Sequence, residues 1–126
     1  MRIFITGASS GIGAEMAKIF AARGDTLGLV GRSEEKLAAV KTQLAGTGHE
    51  TYALDVTDRE AVYAAARDFE SKGAVDTVIA NAGISIGVKT EYAEDIDVLE
   101  RVYRTNVFAM AYTFQPFIEP MRRRGR

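Results

Sequence analysis

The sequence has 126 residues, of which 47% are hydrophobic and 26% are charged, and its formal net charge is -1. These values are typical of an ordinary globular protein and give no reason to expect nucleic acid or an anionic membrane as a partner. The sequence has no cysteine, which excludes disulfides, and only one histidine, His49, which excludes a multi-histidine metal site. No apolar run approaches the roughly 20 residues that span a bilayer. We therefore expect a cytoplasmic protein without a metal site, with residues 1–126 forming one domain.

Short strands and helices alternate from the first residue. Apolar, largely β-branched runs predict buried parallel strands over residues 2–6, 26–30, 50–54 and 75–80. Ser33 is predicted to cap the second helix, and Thr57 to open the third through a capping box with Glu60. The apolar positions of the first three helices predict their buried faces, which are Ile12, Met16, Ile19 and Phe20; Leu37, Val40 and Leu44; and Val62, Ala66 and Phe69.

The last segment is longer than the other helices. From about Asp95 the apolar spacing predicts one long helix that Pro116 bends, with Asn106 lying on its apolar stripe. Strand–helix alternation with short connections implies right-handed crossovers and a parallel sheet covered on both faces. We therefore expect the α/β class: a Rossmann-like doubly wound parallel sheet, truncated to about four strands and four helices.

A glycine-rich turn, Thr6-Gly7-Ala8-Ser9-Ser10-Gly11-Ile12-Gly13, follows the first strand. Gly7 permits a sharp exit from the strand, Gly11 permits backbone approach to a diphosphate, and Gly13 permits close packing of the helix on the sheet. The N–H groups at the start of the helix, together with the hydroxyls of Ser9 and Ser10, favour an anion there. The alternative is a tight strand–helix connection that binds nothing.

This turn resembles the cofactor turn of the short-chain dehydrogenases/reductases, written T-G-x-x-x-G-x-G. The resemblance continues in the family's order at Leu54-Asp55-Val56, at Asn81-Ala82-Gly83 and at Asn106. It covers the whole sequence but only the amino-terminal half of the family's domain. It implies that Gly7, Ser9, Ser10, Gly11, Ile12 and Gly13 bind a dinucleotide cofactor.

Cofactor choice is predicted from the residues after the second strand. NAD-binding turns place an acidic residue there, whereas this sequence has Gly31 followed by Arg32. Arg32 can pair with a 2′-phosphate, and Ser33 can contact the same group, so NADP(H) is expected rather than NAD(H). The alternative is that Arg32 is an ordinary solvated surface charge.

The family resemblance implies roles for residues that follow the third and fourth strands. Asp55 would accept a hydrogen bond from the adenine amino group with Val56 alongside, or Asp55 is only an acid near the Thr57 cap. Asn81, Ala82 and Gly83 follow the fourth strand at the carboxyl edge of the sheet, where such sheets bind ligands. Their small side chains would leave room for ribose and nicotinamide, and Asn81 would also brace the central strand.

Asn106 is the single catalytic candidate. In the family an asparagine on this helix belongs to a tetrad with serine, tyrosine and lysine, and binds a water in the proton relay. The alternative is that its hydrogen bonds only hold a helix kink. No Tyr-x-x-x-Lys spacing occurs here, because the residues four before each lysine are Ala14, Arg32, Leu37, Asp68 and Ser85.

The sequence therefore indicates an NADP(H)-dependent oxidoreductase for a small carbonyl or alcohol substrate, inactive alone because one of four catalytic residues is present. One alternative is a non-catalytic NAD(P)-binding or regulatory module, and another is a structural piece that binds nothing. Because the fourth strand would present an unpaired apolar edge, we expect a homo-oligomer.

Overall fold

The structure is a computed structural model that describes residues 1–125. Four strands alternate with helices in the order expected for a βα repeat. The elements are β1 (Arg2–Thr6), α1 (Gly11–Ala22), β2 (Thr26–Gly31), α2 (Glu34–Thr42), β3 (Glu50–Ala53), α3 (Arg59–Ser71), β4 (Thr77–Ala80), α4 (Ala93–Tyr103), a π-helical turn (Arg104–Phe108) and α5 (Ala109–Arg123).

The four strands form one parallel sheet in the order β3-β2-β1-β4. The chain moves outward from β1 to β3 and then returns to the other side of β1 at β4, so strand order reverses beside β1. Such a reversal opens a crevice at the carboxyl ends of the strands. The doubly wound α/β fold predicted from the sequence is confirmed.

The two faces of the sheet are covered differently. Ile3 and Ile5 face α1 and α2, whereas Phe4, between them in β1, faces α3 and α5, as strand periodicity requires. On the α1 side the helix buries Gly13, Ala14, Ala17 and Ala21. On the α3 side three phenylalanines meet, with ring centroids of Phe4 5.9 Å from Phe69 and 5.1 Å from Phe117.

The predicted buried face of α1 is wrong in part. Met16 and Phe20 pack against the core, but Ile12 is 74% exposed and Ile19 is 60% exposed. The helix lies too close to the sheet for large side chains, so small residues occupy the contact and the isoleucines turn outward. The predicted stripe of α3 is confirmed, since Val62, Ala66 and Phe69 are buried.

Two of the helix starts were predicted from capping residues. The Ser33 hydroxyl accepts from the Lys36 N–H at 3.2 Å, as expected. The cap of α3 is Asp58, whose carboxylate accepts from the Ala61 N–H, and not the predicted Thr57. Thr57 is instead held by Asp55, so the predicted capping box is wrong.

The last helical run is continuous from Ala93 to Arg123. It corresponds to the fourth predicted helix, but its irregularity is the π-helical turn at Arg104–Phe108, which carries Asn106, whereas Pro116 and Pro120 both lie inside α5. Such turns arise where one extra residue is inserted in a helix, often at functional sites. The sequence pattern missed this turn, because the positions around it, such as Val102, Asn106 and Met110, follow at the four-residue intervals of an ordinary α-helix.

Residues 1–125 show no sign of a membrane span or of a metal site. No helix in this part of the chain combines the length and the apolar character that crossing a bilayer requires. These residues also contain no group of three histidine or acidic side chains placed to hold a metal ion. The cytoplasmic location stays a prediction.

Candidate functional site

The turn between β1 and α1 forms one side of a cavity; residues 7–13 are called the glycine wall below. Ser10 is the extended residue before α1, and its side chain makes no capping hydrogen bond. The first backbone bond of the helix runs from the Ala14 N–H to the Ser10 carbonyl at 3.3 Å. The N–H groups before Ala14 therefore have no partner within the helix and form a site for an anion.

Each glycine of this wall meets a different constraint. A Cβ atom on Gly13 would lie 2.2 Å from the Gly7 carbonyl oxygen, so only glycine permits this approach of helix to turn. Gly7 has φ of 67° and would place a Cβ atom 2.9 Å from the Ala82 backbone. Gly11 has φ of 55°, yet beyond its own helix and chain neighbours no atom of residues 1–125 lies within 4 Å of its Cβ position, so this position is open.

The end of β2 lies beside this turn. A Cβ atom on Gly31 would approach the Ser9 side chain to 2.9 Å, so glycine brings Ser9 against the strand. Arg32 is exposed and faces the same cavity as the glycine wall, as predicted. Ser33 does not line the cavity, because its hydroxyl caps α2 instead.

The segment after β3 forms the floor of the cavity. Asp55 is exposed, and its carboxylate accepts from both the N–H (2.9 Å) and the hydroxyl (2.8 Å) of Thr57. These bonds, the backbone one foremost, together with the charge of Arg32 hold the pKa of Asp55 below its usual value, against a smaller effect of burial. Val56 beside it is buried. Asp55 is thus an ionised acceptor facing the cavity.

The segment after β4 is braced against β1. The backbone N–H groups of Asn81 and Ala82 both donate to the Thr6 hydroxyl at 3.2 Å, and the Asn81 side chain donates to the Gly7 carbonyl at 3.2 Å. The side-chain amide of Asn81 therefore fixes the glycine wall. Asn81, Ala82 and Gly83 all line the cavity, as expected.

Both the oxygen and the nitrogen of the Asn106 side-chain amide form hydrogen bonds. Its oxygen accepts from the Ile84 N–H at 2.8 Å, and its nitrogen donates to the Ile84 carbonyl at 2.7 Å. A side chain with both ends bonded fixes the loop after β4 to the π-helical turn. Asn106 does not itself line the cavity, whereas the neighbouring Thr105 does.

The cavity has a volume of about 710 Å³, within the range of small-molecule sites. Of the thirteen predicted cofactor residues it brings together ten; Gly11, Gly13 and Ser33 do not line it. Eight further residues outside that cofactor set also line the cavity: Gly31, Leu54, Thr57, Ile84, Ile86, Arg101, Arg104 and Thr105.

The missed residues gave different signals in the sequence. Gly31, Leu54 and Thr57 adjoin predicted site residues, so proximity in the chain was a usable signal. Arg101 and Arg104 carried none, because charged residues on a helix usually face solvent. We call Arg101, Arg104 and Thr105 the arginine wall.

The residues present fit a dinucleotide. Unpaired N–H groups and open space at Gly11 would receive a diphosphate, Arg32 would receive a 2′-phosphate, and Asp55 would accept from an adenine amino group. Ala82 and Gly83 offer little side-chain bulk where ribose would lie. The arrangement can hold an extended, anionic molecule along the carboxyl edge of the sheet.

Comparison with known proteins agrees with this geometry. The family model described as short chain dehydrogenase matches residues 1–126. A curated relative, dehydrogenase/reductase SDR family member 7B of Bos taurus, is 36% identical over 132 residues, which cover 97% of this chain and 40% of that protein. The 3-dehydrosphinganine reductase of Arabidopsis thaliana is 34% identical, over 98% of this chain and 38% of the relative. The chain thus spans about 40% of the length of these curated relatives.

Solved structures are also similar. A metagenomic short-chain oxidoreductase in complex with NADP superposes with a TM-score of 0.90 at 28% identity, covering 100% of this chain and 58% of that one.

Proposed function

This chain belongs to the short-chain dehydrogenase family, and from that premise we propose that it supplies the NADP(H)-binding part of an oxidoreductase for a small carbonyl or alcohol substrate. The observation that carries this proposal is one cavity lined by the unpaired N–H turn, Arg32 and Asp55. In this proposal residues 1–126 form one partial dinucleotide-binding domain. The nicotinamide of the bound cofactor supplies or accepts the hydride.

The proposed roles follow the contacts. Ser9, Ser10, Gly11 and Ile12 receive the diphosphate through backbone N–H groups and hydroxyls, and Gly7 and Gly13 give the turn its shape. Arg32 pairs with the 2′-phosphate, and Ser33 sets the start of α2 behind it. The remaining cofactor residues are Asp55, Val56, Asn81, Ala82 and Gly83.

Asn106 is proposed as a positioning residue as well as a member of the proton relay. Since both ends of its side-chain amide are bonded to Ile84, the side chain fixes the loop that follows β4. The bonds to Ile84 support the positioning role, and the place in the proton relay is carried by the family resemblance.

Titration with reduced cofactors tests the proposal directly. We expect NADPH to bind with enhanced nicotinamide fluorescence and a lower Kd than NADH, because Arg32 has a phosphate to pair with only in NADPH. Equal Kd values would remove the NADP(H) preference. No binding of either cofactor would favour a structural piece without a ligand.

A non-catalytic NAD(P)-binding or regulatory module is the second candidate, because the residues proposed to bind the cofactor would serve such a module equally well. Both candidates predict that this chain binds cofactor without turnover. The encoding gene distinguishes them: an in-frame continuation with Tyr-x-x-x-Lys supports the enzyme, and a stop after codon 126 supports the module.

Self-association is proposed at the outer edge of β4. Within residues 1–125, β4 pairs with β1 alone, and a groove beside its other edge is lined largely by apolar residues of β4 and α5. The largest are Phe114, Phe117, Ile118 and Met121. An unpaired apolar edge favours pairing with a second copy. Light scattering is expected to give a dimer or larger species, and a monodisperse monomer at high concentration would contradict this proposal.

A further inference from the structure

The arginines of this protein divide into two groups. Ten lie within residues 1–125, and six of them bond or pair with a named partner. The other four make no hydrogen bond or ion pair in this part of the chain: Arg32, Arg67, Arg101 and Arg104. Three of these four line the one cavity described above, and only Arg67, on α3, does not.

Acidic residues precede both arginines of the arginine wall at ion-pair spacing, but no ion pairs form between them within residues 1–125. Asp97 lies four residues before Arg101, and Glu100 lies four residues before Arg104. That spacing, with the acid first, is the favoured one for helix ion pairs. Neither pair comes within ion-pair distance in residues 1–125, and both arginines line the cavity.

The charges that line the cavity are unbalanced. Three arginines line it, against one acidic residue, Asp55. Arg32 acts on the Asp55 carboxylate, but Arg101 and Arg104 are not among the charges that shift its pKa. The arginine wall is thus a second source of positive charge, carried by α4 and the π-helical turn rather than by β2. An excess of cations in a cleft attracts and retains an anion.

We propose that Arg101 and Arg104 are cofactor-binding residues that hold the diphosphate of the dinucleotide from the α4 side. This inference rests on the proposed function. It assigns the two arginines a different task from Arg32, because the diphosphate is common to NADP(H) and NAD(H) whereas the 2′-phosphate is not. In this proposal the affinity for either cofactor depends on Arg101 and Arg104, and the preference for NADP(H) over NAD(H) depends on Arg32.

The test compares variants that remove the same charge at different places. Kd values for NADPH and NADH are measured by fluorescence titration at low and high salt for the wild type, the double variant Arg101→Gln/Arg104→Gln, and Arg32→Gln. Arg67→Gln is the matched control, an equally unpaired arginine outside the cavity. Thermal unfolding of each variant checks that the fold is kept.

We expect the double variant to bind NADPH and NADH about five- to tenfold more weakly, with a smaller dependence on salt. Arg32→Gln should weaken NADPH only, and Arg67→Gln should change neither. Unchanged affinities in the double variant, with wild-type NADPH binding intact, would overturn this inference and leave the proposed function standing. Weaker binding of NADPH alone by the double variant would also overturn this inference, because only an interaction with the 2′-phosphate affects NADPH and not NADH. Absence of cofactor binding by the wild type would overturn both.

Discussion

The glycine wall and the arginine wall border the same cavity but are built in opposite ways. In residues 7–13 the backbone provides the binding groups, and contacts such as the one at Gly13 leave no room for a methyl group. Arg101 and Arg104 are exposed, and their side chains make no hydrogen bond or ion pair within residues 1–125. In the proposed function the glycine wall would therefore fix the position of an anion through short-range geometry, while the arginine wall would add an attraction that salt can screen.

The largest effect is expected from Gly13→Val. Its Cβ atom would lie 2.2 Å from the Gly7 carbonyl oxygen, and the Gly7 backbone cannot yield easily. We expect a loss of about 3 kcal/mol or more in the free energy of unfolding, measured by chemical denaturation. A variant as stable as the wild type would show that the glycine wall is not fixed by close packing.

Gly11→Val should separate binding from folding. Gly11 does not line the cavity itself, but it lies between the lining residues Ser10 and Ile12 and has open space at its Cβ position, so a valine there should crowd the N–H groups proposed for the diphosphate and NADPH binding should be lost. Stability should fall by only about 1–2 kcal/mol, the cost of a positive φ for a side chain.

Gly24→Val is the matched control for Gly11→Val. Gly24 also has a positive φ, of 85°, and open space at its Cβ position, but it lies outside the cavity. It should lose comparable stability and keep NADPH affinity. If Gly11→Val kept tight binding, the placement of the diphosphate at this turn would be wrong.

Arg32→Asp sharpens the distinction between backbone and side-chain recognition. The reversed charge should weaken NADPH binding by about tenfold or more, because a charge-assisted hydrogen bond is replaced by repulsion, whereas NADH should be affected little. The ratio of the two Kd values is the measurement. An equal loss for both cofactors would contradict the role at the 2′-phosphate.

The smallest effect on stability is expected from the titration of Asp55, which lines the same cavity. Thr57 stabilises its ionised form, so the pKa is lower in the folded chain than in the unfolded one. The resulting stabilisation is complete above the unfolded value, near 3.8, and is lost as pH falls through the lower folded value. For an exposed group it should be under about 1 kcal/mol. The stability difference between wild type and Asp55→Asn should shrink between pH 6 and pH 3, and a difference that widened would contradict the assignment.

Local patterns predicted most of the fold. All four strands and the order of the helices were predicted, because alternation and short connections leave few topologies. The errors fall where tertiary packing prevails over periodicity. Ile19 matches an apolar stripe but faces solvent, since α1 contacts the sheet through alanines. Thr57 has capping spacing, but Asp58 takes the cap because Asp55 binds both Thr57 donors.

The candidate site was predicted where its residues directly follow strands. Gly7, Arg32, Asp55 and Ala82 reach one cavity because parallel strands end at the same edge. Arg101 and Arg104 could not be predicted, since helical spacing alone assigns them to ordinary surface ion pairs. The engagement of Asn106 with Ile84 was equally beyond the sequence, because 22 residues separate the two.

Local sequence is enough to specify the strand–turn–helix unit with its glycines, because backbone conformation depends on neighbouring residues and only glycine fits at Gly7 and Gly13. The tertiary structure alone decided which distant side chains share the cavity with this turn, because the return of the chain to β4 and the π-helical turn set the position of α4. Sequence patterns cover only a few neighbouring residues at a time. The sheet topology and the π-helical turn therefore decide that Arg101 and Arg104 line the same cavity as the glycine wall.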